Sequence, residues 1–294
     1  MLLVATTLLC LPAGPALAEA AVTEVCRFSD DRFTEISGLA LSRLHPGVIW
    51  LHNDSGGGPF IYAVDGRTCR TLATMRIAGA EARDFEAIAP GRDRKGRPVL
   101  WIADIGDNRD NWPYVRLLRV REPALLASAT LTARTYRFTY SDMPHNAETL
   151  LADPNSQQLW VVTKQLAHGR VYVLPTRLSR TKVNIARPIS REGGLITDGA
   201  VSPDGSRYVL RDYVNATIFE GPPVGSEQKV VSLPYQPQGE AVTWTADGQA
   251  LLVASERDDR LLRIQVDPPG APAAASSTRP VLQASGTGTA RVSG

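Results

Sequence analysis

The chain has 294 residues, 43% of them hydrophobic and 21% charged, enough for one large all-β domain or two smaller ones. Its 32 basic and 30 acidic side chains leave a net charge of +2, and the basic residues, mostly arginine, are scattered along the sequence without a run. That balance supplies no strong field for nucleic acid or an anionic membrane, so neither is expected as a partner.

Residues 1–18 are apolar and end in Ala16-Leu17-Ala18, a small-x-small cleavage signal, although a positive n-region is missing. They read as a signal peptide and predict export, to the periplasm and cell envelope or beyond the cell. The stretch is too short for a membrane span. After cleavage two cysteines remain, Cys26 and Cys69. An even pair in an oxidising compartment predicts a disulfide; the alternative is two buried thiols. Neither has the CxxC or Cys/His surroundings of a zinc site.

Residues 19–267 read as one domain built of strands. The first set covers 36–42, 48–51, 60–64 and 71–77, and the second covers 86–89, 99–102, 115–120 and 135–140. The third covers 148–151, 159–162, 171–174 and 183–188; the fourth covers 199–202, 208–210, 217–219 and 229–233. The fifth has three strands, 240–245, 250–253 and 261–266. The second strand of each set is a continuous apolar run, as expected for burial on both faces. Turn signals such as His45-Pro46-Gly47, Pro203-Asp204-Gly205 and Ala246-Asp247-Gly248 precede these runs. No segment has a sustained helical period; 124–132 is the nearest and reads as a loop or single turn. Residues 268–294, rich in Pro, Ala, Ser and Gly, read as a disordered tail.

One short phrase recurs at the head of each set. It reads Ile36-Ser37-Gly38-Leu39-Ala40, Phe85-Glu86-Ala87-Ile88-Ala89 and Ala147-Glu148-Thr149-Leu150-Leu151, then Thr197-Asp198-Gly199-Ala200-Val201 and Gly239-Glu240-Ala241-Val242-Thr243. Repetition at roughly 40–50 residues is the signature of a β-propeller with one four-stranded blade per repeat. Five blades are predicted, with six as the alternative if the long second repeat hides an incomplete blade around 120–145. The missing fourth strand of the fifth set is assigned to 23–28, closing the ring with both ends of the chain; 281–285 is the rival. Closure removes exposed sheet edges.

A propeller gathers the starts of its inner strands and the ends of its second strands on one face. Glu86, Glu148, Asp198 and Glu240 would meet there with Ser37, and Asp84, Asn146 and Gln238 precede three of them by two residues. The second-strand ends add His52, Asn53, Asp54, Asp104, Asp107, Asn108, Lys164, Arg211, Asp212, Glu256 and Arg257. Crowded carboxylates raise one another's pKa unless a cation neutralises them. A donor set of Asp, Glu and Asn without cysteine suits Ca2+. Glu86, Asp104, Glu148, Asp198 and Glu240 are the candidate metal ligands. His52, Glu86, Lys164 and Arg211 are the candidate catalytic groups. Asn53, Asp54, Asp107, Asn108, Asp212, Glu256 and Arg257 are candidate ligand-binding residues. The rival reading is structural: carboxylates capping backbone N–H groups or pairing with arginine, and His52 satisfied inside the core.

The phrases Glu86-Ala87-Ile88-Ala89 and Gln238-Gly239-Glu240-Ala241-Val242 resemble those of secreted bacterial propellers of the phytase-like and esterase-like group, including TolB-like and lactonase-like propellers. The resemblance covers about 36–266 as architecture and implies a possible Ca2+ site lined by carboxylates. Phytases of the group also carry a basic phosphate-binding surface, for which this sequence has no matching Lys/Arg cluster. Calcium-dependent lactonase propellers hold their metal with Glu, Asn and Asp from different blades, parts that Glu86, Glu148, Asp198 and Glu240 would play.

Two functions follow as expectations. One is an exported, calcium-dependent hydrolase of an ester, lactone or phosphoester at the axial channel. The other is a non-catalytic propeller that binds a glycan, peptide or cell-envelope partner. In either case a monomer with its ligand at the channel mouth is expected.

Overall fold

The computed structural model describes residues 20–221 and 223–267, so the leader, the tail and the 281–285 strand candidate lie outside the described residues. After β1 (Val22–Arg27), the strands β2 (Ile36–Leu41), β3 (Val48–Asn53), β4 (Phe60–Asp65) and β5 (Thr71–Ala78) form an antiparallel group. A second group begins with β6 (Phe85–Arg92), β7 (Pro98–Asp104) and β8 (Val115–Arg121). The chain then makes β9 (Ala129–Thr132), and β10 (Arg134–Tyr140) returns to pair with β8.

The third group is β11 (Ala147–Ala152), β12 (Leu159–Thr163), β13 (Arg170–Val173) and β14 (Asn184–Arg191). The fourth is β15 (Asp198–Val201), β16 (Arg207–Arg211), β17 (Asn215–Glu220) and β18 (Glu227–Ser232). The last comprises β19 (Gln238–Trp244), β20 (Ala250–Glu256) and β21 (Asp258–Gln265), with β1 as its outer strand. The described residues contain no helix. The inner strands β2, β6, β11, β15 and β19 touch in sequence, and β19 touches β2, so the array is a closed β-propeller.

Alternation within the second strands explains the closure. In β3, Trp50 packs into a cluster with Ile102 and Leu118 of the next group, while Ile49 and Leu51 pack against Leu252 and Ala254 of the last group. Each junction between neighbouring groups holds such an apolar cluster. Burying one large aliphatic or aromatic side chain contributes about 1.5–3 kcal/mol, so this sandwiching dominates the stability of the ring. The tight turns require glycine at Gly205 and Gly248, where φ is +78° and +68°.

β1 runs antiparallel to β21, with Val22 opposite Ile264 and Arg27 opposite Arg260, as the 23–28 assignment expects. Cys26 of β1 is disulfide-bonded to Cys69 in the β4–β5 turn, with Cα atoms 5.6 Å apart. The bond therefore fastens the closing strand of the last group to the first group.

Two features depart from the sequence reading. Within 124–132, residues Ala129–Thr132 form β9, which pairs in parallel with β5 at its outer edge. Edge pairing overrides the helical bias of this Ala/Leu-rich segment, and Ser128 accepts the Thr74 N–H beside it. The third and second groups are also continuous, because β14 pairs in parallel with β10 through Phe138, Thr139 and Tyr140.

Candidate functional site

The repeated acidic residues are placed by a repeated backbone irregularity. The β2–β3, β6–β7, β11–β12 and β19–β20 ladders each break register at one inner-strand residue. Those residues are Ser37, Glu86, Glu148 and Glu240. A bulge adds a residue to one strand and re-aims its side chain. The fourth group lacks it: Asp198 stays in regular register opposite Arg211.

That difference separates site from scaffold. Asp54, Asp84 and Glu86 each offer a carboxylate oxygen, and the three oxygens lie within 4.8 Å of one another. Asp54 contacts Asp84, Glu86 contacts Glu148, and Glu240 contacts Glu256, giving three abutting carboxyl pairs from four groups of strands. Lys164 is the cation among them, 3.1 Å from Glu148 Oε1 and 3.6 Å from Glu240 Oε1. It also lies over the Tyr213 ring at 5.4 Å.

Side-chain amides hold the cluster in shape. Asn108 Nδ2 donates to Asp84 Oδ2 at 3.0 Å, Asn146 Nδ2 donates to Asn108 Oδ1 at 3.2 Å, and Gln238 Nε2 donates to Glu240 Oε1 at 3.1 Å. Gly106 closes over the acids: a Cβ there would overlap Glu86 Oε1 and Asp84 Oδ2.

Burial first, and then neighbouring carboxylates, push these acids upward. Asp54 is raised to about 7 by burial and Asp84. Glu256 reaches about 8 through burial and Glu240. Glu148 is raised to about 7 by burial, although Lys164 pulls it back. Glu86 is held well above the usual carboxylate range by burial and then Glu148, Asp54, Asp84 and Glu240. Beyond the acids lies a cavity of about 200 Å3 lined by Leu39, Ile88, Leu150 and Trp244, with Ser42, Arg43 and Arg92 also in its wall.

Several predicted residues serve other purposes. Asp104 is sealed from solvent and bridged to Arg116 and Arg83, and it accepts the Asp84 N–H at 2.9 Å. It orients Asp84 rather than presenting its own oxygens. Asp198 accepts the Val242 N–H at 2.7 Å and ties β15 to β19. Arg211 is fully buried, donating to Ala241 O, Ala254 O, Asp212 O and Gln236 Oε1. Asp104, Asp198 and Arg211 are thus engaged by structural partners, away from the focus of Asp54, Asp84 and Glu86.

His52 is also sealed in. Its Nδ1 donates to Asn53 O at 2.8 Å, its ring meets Phe85 edge-on, and burial lowers its pKa to about 4. It is a neutral core histidine packed against Gly38. Asn53 donates to Arg32 O, Asp212 caps the Val214 and Asn215 N–H groups, and Asp107 accepts the Trp112 N–H. Asp107 and Asn108 sit at the wall through Asn146, which accepts the Asp107 N–H at 3.1 Å. Arg257 is exposed, at a φ of +57°. Asp84 and Gln238 belong to the cluster although only their neighbours Glu86 and Glu240 carried the prediction; their signal was the shared two-residue offset.

No protein-family model matches the chain, and no curated protein matches it. Solved structures of similar course include a chain of the mitotic checkpoint complex, at 12% identity and a TM-score of 0.42 over 78% of this chain and 61% of that one. Another is the PQQ-bound aldose sugar dehydrogenase of Streptomyces coelicolor, at 13% identity and a TM-score of 0.48 over 84% of this chain and 98% of that one. The chain therefore spans about six-tenths of the first and nearly all of the second. Neither likeness bears on the site, which stands on its own geometry.

Proposed function

We propose that this is an exported, metal-dependent hydrolase that holds a calcium-type cation at the acidic end of its channel. The observation that carries the reading is the convergence of Asp54, Asp84 and Glu86, with oxygens within 4.8 Å of one another. The donor chemistry fits a hard divalent cation, since every candidate ligand is an oxygen and no cysteine or histidine joins them. Asp54, Asp84 and Glu86 would hold it, with Glu148 and Glu240 beside them. Such an ion supplies Lewis acidity toward an ester, lactone or phosphoester oxygen.

The chain's own residues supply the rest. Lys164, fixed between Glu148 and Glu240, presents positive charge to an oxygen that becomes negative during hydrolysis. Burial and Glu240 raise the Glu256 carboxyl to about 8 in the cation-free protein, which makes it the proposed proton donor. Export is supported by the Cys26–Cys69 disulfide.

A second reading is a binding propeller for a glycan or peptide. It is favoured by Leu166, Val214 and Tyr235, which are 87%, 63% and 84% exposed on loops at the acidic end. A panel of esters, lactones and phosphoesters, assayed with calcium on the mature protein and on Lys164→Gln, separates the two. The enzyme reading expects calcium-dependent turnover, reduced at least tenfold in Lys164→Gln. No turnover on any class sinks that reading and leaves the binding one.

A further inference from the structure

The opposite end of the ring carries a second cavity of contrary charge. In the second group, Glu86 and Asp104 lie at one end of the β6–β7 ladder and Arg92 and Pro98 at the other. The β6–β7 turn, β8, the start of β10 and the β13–β14 connection meet at that far end around a cavity of about 440 Å3. Arg94, Lys95, Arg97, Arg119, Arg134 and Arg180 line it. The carboxylate in the lining, Asp93, is already bound by Arg97 at 2.7 Å. Among the described residues, no carboxylate pairs with Arg94, Lys95, Arg119, Arg134 or Arg180.

Two observations distinguish this cavity from a solvated basic surface. Arg119 lies over the rings of Trp101 and Tyr136, at 5.3 and 5.6 Å, and both rings are buried. Contact with the two ring faces confines the guanidinium, and no carboxylate among the described residues engages it, so its N–H groups are available to an oxyanion. Arg119 also stands directly opposite Arg134 in the β8–β10 ladder. Like charges so placed destabilise a strand pair. The other arginine pair of that ladder, Arg116 with Arg137, is relieved because Arg116 bridges Asp104 and Glu81. Arg119 and Arg134 have no such relief within the described chain.

We propose that this cavity binds a small polyanion bearing two or more phosphate- or sulfate-type groups. A lone tetrahedral anion would fill a minor part of the cavity and reach few of its six cations. A polyanion spans them and removes the Arg119–Arg134 repulsion. This site is separate from the acidic cluster and needs no metal.

The test is calorimetry on metal-free mature protein with pyrophosphate, tripolyphosphate and a fully sulfated disaccharide, and with orthophosphate as the single-anion reference. At least one of the three polyanions should bind saturably, roughly tenfold or more tighter than orthophosphate, with affinity falling as salt is added. Whether the phosphate or the sulfate probes bind tighter identifies the source of the anion. Arg134→Glu combined with Arg180→Glu should weaken that binding by at least roughly tenfold. Both side chains are exposed, and an unchanged melting temperature checks that the fold survives. Arg119→Lys keeps the charge, loses the fork and should weaken binding as well. The proposal is overturned if no polyanion binds at millimolar concentration, or if the double variant binds as tightly as the parent.

Discussion

Gly106 lies against Glu86 so closely that any side chain at position 106 would overlap Glu86 Oε1, and its Cβ would fall 2.6 Å from Asp84 Cγ. The backbone at 106 does not need a positive φ, so alanine is conformationally admissible there. Gly106→Ala should leave the fold intact and push both carboxylates off their shared focus. Calcium affinity should fall by roughly tenfold or more, because an ion site tolerates little displacement of its ligands. Calorimetry beside a thermal melt checks this; unaltered affinity would mean that Glu86 and Asp84 are not ligands.

The crowded acids predict an unusual pH dependence for the cation-free protein. Asp54 and Glu148 titrate at about 7 and Glu256 at about 8, against about 4 in an unfolded chain. The folded state then binds more protons than the unfolded one, so stability falls as pH rises toward 8. His52 has the opposite sign: its folded value of about 4 against about 6.5 unfolded adds stability only as pH rises through that lower interval. Between pH 6.5 and 8 the acids act alone. The melting temperature of metal-free protein should fall across this window, and saturating calcium should abolish the decline. A flat profile without calcium contradicts the account.

Arg211 supplies a test of scaffold against site. Arg211→Met deprives Ala241 O, Ala254 O and Gln236 Oε1 of a donor and removes the positive charge nearest Asp198. Breaking one side of a buried charged network costs about 3–5 kcal/mol. Urea denaturation should show a loss of that size. Full stability with lost activity would instead return Arg211 to the catalytic group.

The disulfide fastens the ring at its seam. Its cysteines are 43 residues apart in sequence, and a crosslink of that span contributes about 2–4 kcal/mol by restricting the unfolded chain. Cys26→Ala with Cys69→Ala should lower the melting temperature and expose β1 amides to faster hydrogen exchange than the other strands. Unchanged exchange in β1 would mean that its ladder with β21 holds the seam unaided.

The ring was legible because its causes are local and repeated: one short phrase, acidic in four of the five, one apolar run and one tight turn per group. The site was legible in part. Glu86, Glu148 and Glu240 do converge, while Asp198 does not, because the bulge that re-aims the first three is absent opposite Arg211. No feature of the phrase Thr197-Asp198-Gly199 announces that absence. The pairing of Asp104 was hidden for a related reason: its partners Arg83, in the loop before β6, and Arg116, on β8, are distant from it in sequence. The basic cavity was legible only in part: Arg94, Lys95 and Arg97 share one short segment, broken by Gly96, while Arg119, Arg134 and Arg180 come from three others that only the fold brings to it. β9 escaped because its partner β5 lies far back in sequence.

The central claim is that the convergent carboxylates hold a divalent cation. Calorimetric titration of calcium into metal-free mature protein, repeated on Glu86→Gln with Asp84→Asn, tests it most directly. The account predicts saturable binding at micromolar calcium with proton release, and its loss in the double variant. No binding by the parent protein, or equal binding by the variant, would contradict it and leave the carboxyl pairs as proton-sharing scaffold.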